Sequence, residues 1–332
     1  MADVGGTHTR LAVATGHVLQ ASSFPTTDGS DFLAAVHRLI ADRHAQGEAP
    51  LAAACVAVAG PIVASSGGGR ASLTNTPWSL DAGDLPLPAR MVNDLYAACR
   101  GVEGLLGADG RVAGAELLGG GPPELGAPVV VLGLGTGLGQ ALLVGGQVIA
   151  GEGGHADLAA TDARGDALVR FLRDRLRERE GGDQRADAPV PHVSIERLVS
   201  GTALADVLDF AALRAPLGAD AALRLESQPA AAVVVACAES DPACALAMEM
   251  LVEGLGAEAG NAALRPLARG GVVLVGGMAA RIAPWLRGPT FRRAFEGKGR
   301  MSLILKEIPV WLLTRDDVGL HGAAVEARRM LA

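Results

Sequence analysis

Aromatic side chains are scarce: Phe, Trp and Tyr make up 3% of the 332 residues, too few for the stacking platforms that bind single-stranded nucleic acid. Basic residues are in no excess either. The 29 Lys and Arg against 36 Asp and Glu leave a net charge of −7, which argues against a surface built for a phosphate backbone. The four cysteines, Cys55, Cys99, Cys237 and Cys244, match no CxxC zinc or redox spacing. They read as small buried thiols in a reducing cytoplasm. The longest strongly apolar run, Ala230 to Ala238, falls far short of the roughly 20 residues of a membrane span. No basic-then-apolar start suggests a signal peptide. The expectation is a cytoplasmic protein whose partners are neither nucleic acids nor membranes.

The common nucleotide signatures are missing too. The sole Gly-Lys pair, Gly297-Lys298, is followed by Gly299 and has Arg292 where a Walker loop needs its first glycine. "GEGGHA", Gly151 to Ala156, fits G-x-G-x-x-G/A in form. The segment after it starts no apolar-striped helix, and Glu152 would face a pyrophosphate, so the match is set aside. What the chain does have is glycine: 45 residues, about twice the usual ~7%. They show no collagen period and no linker-like monotony, which leaves structural turns and ligand loops.

Hydrophobic spacing gives the rest of the outline. "TRLAVAT" alternates and reads as the second strand of a hairpin; "AAACVAVAG" is a buried strand ending in a Gly-Pro turn. "RMVNDLYAACRGV" starts as a strand and becomes a helix near Leu95. "APVVVLGLGTGLGQALLV" is strand, glycine turn, strand; "GGVVLVGGMAARI" is strand, double glycine, helix. "DFLAAVHRLIADRH", "ARGDALVRFLRDRLRERE", "ALAMEMLVEGLGAEAGNAALRPLA" and "GLHGAAVEARRMLA" read as helices, "IPVWLLT" as a late strand and "GGDQRADAPVPH" as a surface loop. Strands alternating with helices make the class α/β. "DVGGTHTRLAV" and "GLGTGLGQALLV" echo one another as glycine turns feeding alternating strands.

Taken singly, the chemistry-bearing stretches each have two readings. Gly5-Gly6-Thr7, just after Asp3, can offer backbone N–H groups to a phosphate or can simply turn a hairpin. "GLGTGLG", Gly133 to Gly139, can present N–H groups and the Thr136 hydroxyl to an anion, or can pack a crowded strand crossing. Asn93 and Asp94 close a strand, where α/β folds bind ligands, yet Asp94 also reads as a helix N-cap. Glu152 and His155 suit neighbouring sugar hydroxyls; as metal ligands they have no third partner at useful spacing. Glu196 opens an expected helix and can be a dipole-complementing acid. Trp78, in "TNTPWSL", reads as core.

The order of these blocks is more specific than any one of them. "ADVGGTHTRLAV", "VAVAGPI", "LTNTPWSL", "VNDLYAA", "GLGTGLGQALLV", "GEGGHADLA", "ERLVSGTAL", "GGVVLVGGMAARI", "FRRAFEGKGR" and "PVWLLTRDDVGLHGAA" together resemble a bacterial glucokinase, from Ala2 to about Ala324. That family is ATP-dependent and hexokinase-like, within the actin/sugar-kinase/Hsp70 fold. The resemblance implies two RNase H-like lobes with the active site in the interlobe cleft. A small lobe of 1–103 plus 315–332 and a large lobe of 104–314 are expected. It implies transfer of the ATP γ-phosphate to the glucose 6-hydroxyl, the first step of glycolysis, with Mg²⁺ as cofactor. It further implies a first phosphate loop at Ala2, Asp3, Val4, Gly5, Gly6 and Thr7 and a second at Gly135, Thr136 and Gly137. The adenosine side falls at Gly276 and Gly277. Sugar contacts fall on Asn93, Asp94, Glu152, His155 and Glu196, with Asp94 as catalytic base and Asp3 as the metal carboxylate. A homodimer follows by analogy alone.

Some positions depart from the family pattern. His8 and Thr9 stand where Asn and Ala are common, Leu134 replaces a usual Pro or Ala, and "SGTAL" replaces the commoner "SGPGL". These leave the sugar chemistry intact and bear on nucleotide affinity. Relatives also carry several residues ahead of the first turn, against Met1 to Val4 here. The expectation is a short strand that holds Asp3 less firmly, and weaker ATP binding. The alternatives are a hexose kinase of broader specificity and a catalytically weak sugar-binding regulator on the same fold. The repressor-related sugar kinases carry a CxCGxxGCxE zinc motif that this chain lacks.

Overall fold

The computed structural model describes residues 1–4, 8–15, 18–25, 29–65, 67–72, 79–179 and 191–331. Short Val- and Ala-rich runs form strands, and longer runs with helical spacing form the helices that cover them. The chain divides into two compact units. Met1–Gly114, Ala141–Ala150 and Arg315–Ala332 make the first, and Ala115–Gln140 with Gly151–Thr314 the second.

Along the chain come β1 (Ala2–Val4), β2 (His8–Thr15), β3 (Val18–Pro25), β4 (Ala54–Val58), β5 (Ile62–Val63), β6 (Arg70–Ser72), β7 (Ser79–Asp81) and β8 (Ala89–Asn93). Strands β3, β2, β1, β4 and β8 form a five-stranded sheet in that order, and β5 to β7 a small antiparallel one. The hairpin read from "TRLAVAT" is present, since β1 pairs β2 antiparallel. On its other side β1 is parallel to β4, which is parallel to β8. β1 is three residues long and bonded on both edges.

Period-2 alternation sorts the first sheet's side chains. Val4, Val56, Val58 and Met91 face a core shared with Phe32 and Val36 of the helix Gly29–Ala45. Cys55, Ala57 and Val92 face the opposite way, against Ala97 of the helix Asp94–Glu103 and Ala323 and Ala327 of the helix Val318–Arg329. These last two helices meet backbone to backbone. A Cβ placed on Gly322 would lie 1.7 Å from the Ala97 carbonyl oxygen, and one on Gly101 would lie 2.1 Å from that of Val318. Beside this contact Arg100 and Glu326, each 1% exposed, pair at 2.9 Å.

The second sheet contains β9 (Glu116–Gly119), β10 (Val129–Leu134), β11 (Leu138–Val144), β12 (Gln147–Gly151), β13 (Gly271–Val275) and β14 (Val310–Leu312), in the order β12-β11-β10-β13-β14-β9. Strands β10, β13 and β14 are parallel and fully buried. The glycines inside the helix Pro242–Leu264 serve close packing: Cβ atoms on Gly256 and Gly260 would lie 2.3 and 2.5 Å from the carbonyls of Phe291 and Phe295.

Most expected elements stand where the spacing puts them, including the helix Ala163–Arg179. The apolar run from Ala230 is a helix, Ala230–Cys237. All four cysteines are buried and free. No single helix among the described residues is long and apolar enough to cross a membrane. Most of "GGDQRADAPVPH" and of "TNTPWSL", with Trp78, lies outside the described residues, as do Gly5, Gly6 and Thr7.

The helix–helix contact yields a stability prediction. Gly322→Ala forces a methyl group into a carbonyl, and overpacking of this kind costs about 1–3 kcal/mol. The urea midpoint, followed by far-UV circular dichroism, is expected to fall clearly below wild type. An unchanged midpoint would mean that the two helices separate without cost.

Candidate active site

In the first unit the parallel strands β1, β4 and β8 end in register, with Val4 beside Val58 and Val58 beside Asn93. Adjacent strands lie about 4.8 Å apart, so the ends of all three strands lie within roughly 10 Å of one another. Asn93 caps the helix that follows. Its Oδ1 accepts from the N–H groups of Leu95 and Tyr96 at 2.9 and 3.2 Å, and its Nδ2 donates to the Gly60 carbonyl at 3.4 Å. The N-cap is therefore Asn93, where the sequence suggested Asp94. Asp94 is the first helical residue, and its Oδ1 accepts from the Leu95 N–H at 2.8 Å.

Alternation places Asp3 on the sheet face opposite Ala2 and Val4, toward the helix Val318–Arg329. A Cβ on Gly319 would lie 3.2 Å from Asp3 Oδ2, so glycine there leaves room for the carboxylate. Arg10 sits 3.6 Å from Asp3 and donates to the Asp316 carbonyl and carboxylate at 2.9 and 3.1 Å. Burial pushes the Asp3 carboxyl up from its ordinary range, and Arg10 partly offsets this. At the start of the same helix Asp317 receives a two-pronged Arg315 guanidinium at 2.5 and 2.8 Å, with His321 at 3.1 Å. The Arg315 hydrogen bonds hold the Asp317 carboxyl down at about 2. Sequence reading assigned no role to Arg10, Asp316 or Gly319. The block "TRDDVGLHGAA" was the visible signal, but a partner 306 residues away was not.

In the second unit β10 leads into Gly135-Thr136-Gly137 and β13 into Gly276-Gly277, at the same end of a parallel pair. Gly276 has φ +106°, and a Cβ there would lie 2.4 Å from the Leu134 carbonyl, so both backbone conformation and space require glycine. Gly277 begins the helix Gly277–Arg281. The Gly135 N–H bonds the Gly137 carbonyl at 3.0 Å, and the segment Gly201-Thr202 lies along the turn, bonded to the Gly135 and Thr136 carbonyls.

Glu196 touches this turn directly. Its Oε2 accepts the Leu138 N–H at 2.8 Å, and a Cβ on Gly137 would lie 2.5 Å from that oxygen. Glu196 stands in a 3₁₀ turn, Ile195–Arg197, and not at the start of an α-helix, which begins only at Leu204. Glu152 and His155 flank another 3₁₀ turn, Gly153–His155, and are exposed 3.8 Å apart. That turn is clamped on β11. Cβ atoms on Gly153 and Gly154 would meet Gln140 Oε1 at 2.2 Å and the Leu138 carbonyl at 1.9 Å. Buried Gln140 is in turn held by Glu258 at 2.7 Å. Bonds from Ile195 N–H to the Ala156 carbonyl (2.8 Å) and from Leu158 N–H to the Val193 carbonyl (2.9 Å) bring the two 3₁₀ turns side by side.

The second unit thus brings Glu152, His155 and Glu196 together with Gly135, Thr136 and Gly137. The first holds Asn93, Asp94 and Asp3 with Ala2 and Val4. Gly5, Gly6 and Thr7 lie outside the described residues. Among the described residues no three His, Cys, Asp or Glu side chains converge as a metal cage. Asp3, a lone carboxylate, suits Mg²⁺, which keeps its waters and takes one or two carboxylates alongside substrate phosphates.

Known proteins resemble this chain over nearly its whole length. The family model described as Glucokinase matches residues 1–330. A glucokinase of Nostoc punctiforme is 32% identical over 359 residues, covering 99% of this chain and 98% of its own. The crystal structure of a glucokinase from an Antarctic psychrotroph is similar with a TM-score of 0.73 at 27% identity, covering 99% of this chain and 98% of its own. That of Balamuthia mandrillaris glucokinase, in complex with glucose, shares the fold with a TM-score of 0.82 at 24% identity, covering 98% and 92%.

The Arg315–Asp317 pair generates a pH prediction. A carboxyl with a depressed folded pKa adds stability above its unfolded value of ~3.9, and that stability is lost as pH falls toward the folded value. Asp317→Asn is expected to lower the thermal midpoint between pH 7 and 4. The gap to wild type should close as pH falls from about 4 toward 2. A gap of constant size across that range would show that the carboxylate charge is not what stabilises.

Proposed function

Because this chain belongs to the glucokinase family, we propose that the residues assembled above form the catalytic machinery of a glucose kinase. The protein is an ATP-dependent glucokinase that phosphorylates glucose. What most supports this site is the 2.8 Å bond between Glu196 and the Leu138 N–H. Phosphoryl transfer needs donor phosphate and acceptor sugar in contact. Here the carboxylate suited to sugar hydroxyls is bonded to the glycine turn suited to phosphate.

The roles follow from chemistry. Glu152, His155 and Glu196 accept and donate hydrogen bonds to sugar hydroxyls, with Asn93 and Asp94 completing the set. Asp94 takes the proton of the 6-hydroxyl as its oxygen attacks the γ-phosphorus and ADP leaves. The helix it starts favours an anion at that position. The Thr136 and Gly137 N–H groups cradle donor phosphate oxygens. Gly276-Gly277 leaves room on the adenosine side, and Gly5, Gly6 and Thr7 with Ala2 and Val4 form the first phosphate loop. Asp3 would hold Mg²⁺, which when bound neutralises phosphate charge. The family suggests lobes of 1–103 with 315–332 and of 104–314, while the compact units of this chain group 104–114 and 141–150 with the first. The product, glucose 6-phosphate, enters glycolysis in the cytoplasm. A homodimer remains part of the proposal by family analogy.

The decisive variants are Asp94→Ala and Asp94→Asn. A positioned general base is worth about 10²–10⁴-fold, so kcat for glucose-dependent ADP release is expected to fall by that much. Glucose binding measured by calorimetry should persist within about tenfold. A loss of kcat smaller than tenfold would remove Asp94 from the base role.

A further inference from the structure

We infer that Thr202 is a positioning residue for the phosphate turn, acting with Ser200 to hold the turn's carbonyls backward so that its N–H groups face the nucleotide. The inference rests on the reading of Gly135, Thr136 and Gly137 as a phosphate turn. The Gly201 N–H donates to the Gly135 carbonyl at 2.9 Å. The Thr202 N–H and hydroxyl both donate to the Thr136 carbonyl, at 3.2 and 2.9 Å. Across a planar trans peptide the C=O and the next N–H point in opposite directions. With both carbonyls tied to Gly201-Thr202, the N–H groups of Thr136 and Gly137 point away from that segment. Among the described residues neither donates to a protein group. They are adjacent, parallel in sense and available to an anion.

The hydroxyl chain behind the turn has a fixed direction. A carbonyl only accepts, so Thr202 Oγ1 donates to Thr136 and must accept from Ser200 Oγ, 3.2 Å away. Ser200, 0% exposed, itself accepts the Ala203 N–H at 3.1 Å. Every group in the run from Ala203 to Thr136 thus has one assigned role, anchored at its core end by a buried hydroxyl. The other flank of the turn is held by Glu196 through the Leu138 N–H. The turn is tied from behind on both sides by one segment, Glu196 to Thr202.

The test compares Thr202→Val and Thr202→Ser. Valine keeps the branched shape and the backbone N–H but removes the donor; serine keeps the donor. Calorimetric titration with Mg²⁺·AMPPNP is expected to give a Kd about 3–10-fold weaker for valine, the range for one lost hydrogen bond, with serine close to wild type. KM for ATP should rise by a similar factor with kcat within twofold. Glucose affinity without nucleotide should stay unchanged, which general damage to the unit would not allow. Gly137→Pro, which deletes one turn N–H, separates this inference from the reading beneath it, with Gly137→Ala as the control for the Cβ that either variant sets against Glu196 Oε2. If that variant binds glucose but loses AMPPNP while Thr202→Val binds like wild type, the turn holds phosphate and Thr202 does not position it. If Gly137→Pro keeps full AMPPNP affinity, the phosphate-turn reading fails and the role of Thr202 fails with it. A serine variant as weak as valine also overturns the hydroxyl's role.

Discussion

The first unit depends on two helices whose backbones touch. Gly101 against Val318 and Gly322 against Ala97 leave no room for side chains, so neither helix can slide or roll without a clash. Glu326 fixes the register. It is 1% exposed, ion-paired with Arg100 on one helix, and hydrogen-bonded to Arg90 on β8, to the Tyr96 hydroxyl and to Arg329 on its own helix. A buried pair like Arg100–Glu326 adds little net stability, but removing one partner costs about 3–5 kcal/mol. Its consequence is positional. One helix begins at Asp94 and the other passes Asp3 at Gly319, so the residues proposed as base and as metal carboxylate inherit their placement from this contact.

The second unit reaches the same end with backbone hydrogen bonds instead of an ion pair. Glycines let the Gly153–His155 turn settle on β11 and let Gly137 approach Glu196. The carbonyls of Gly135 and Thr136 are then consumed by Gly201 and Thr202. Side chains suited to sugar and amides suited to phosphate are displayed from a surface whose underside is fully bonded. Under the proposed function this is preorganisation: donors already fixed from behind need no rearrangement when charge develops on a phosphoryl group.

Much of this was legible because the relevant signals are local. Glycine turns after buried strands, alternation in β1 and β2, and helical spacing in Val318–Arg329 all survive folding unchanged. What was not legible depends on competition or distance. Asn and Asp cap helices about equally well, so "VND" could not say that Asn93 would cap and leave Asp94 one position further on. Ile195–Arg197 is a 3₁₀ turn whose entry is fixed from outside: the Ile195 N–H is taken by the Ala156 carbonyl, and the Val193 carbonyl just ahead of it by the Leu158 N–H, a tertiary fact. Arg10 looked like one more residue of an alternating strand. Its function, bracing Asp3 against Asp316, requires the C-terminal segment to return to the first sheet.

The departures from the family pattern read differently once the packing is known. Leu134 is buried at the end of β10, and its backbone is what a Cβ on Gly276 would strike. Thr202, where proline is common, adds two hydrogen bonds to the turn. Proline has no N–H and no hydroxyl, so it could make neither of the two bonds that Thr202 makes to the Thr136 carbonyl. A chain with proline there holds its turn without them. This chain holds it through hydrogen bonds that begin at Ser200 in the core. Those bonds make the turn Gly135-Thr136-Gly137 and the segment from Glu196 to Thr202 a single bonded unit.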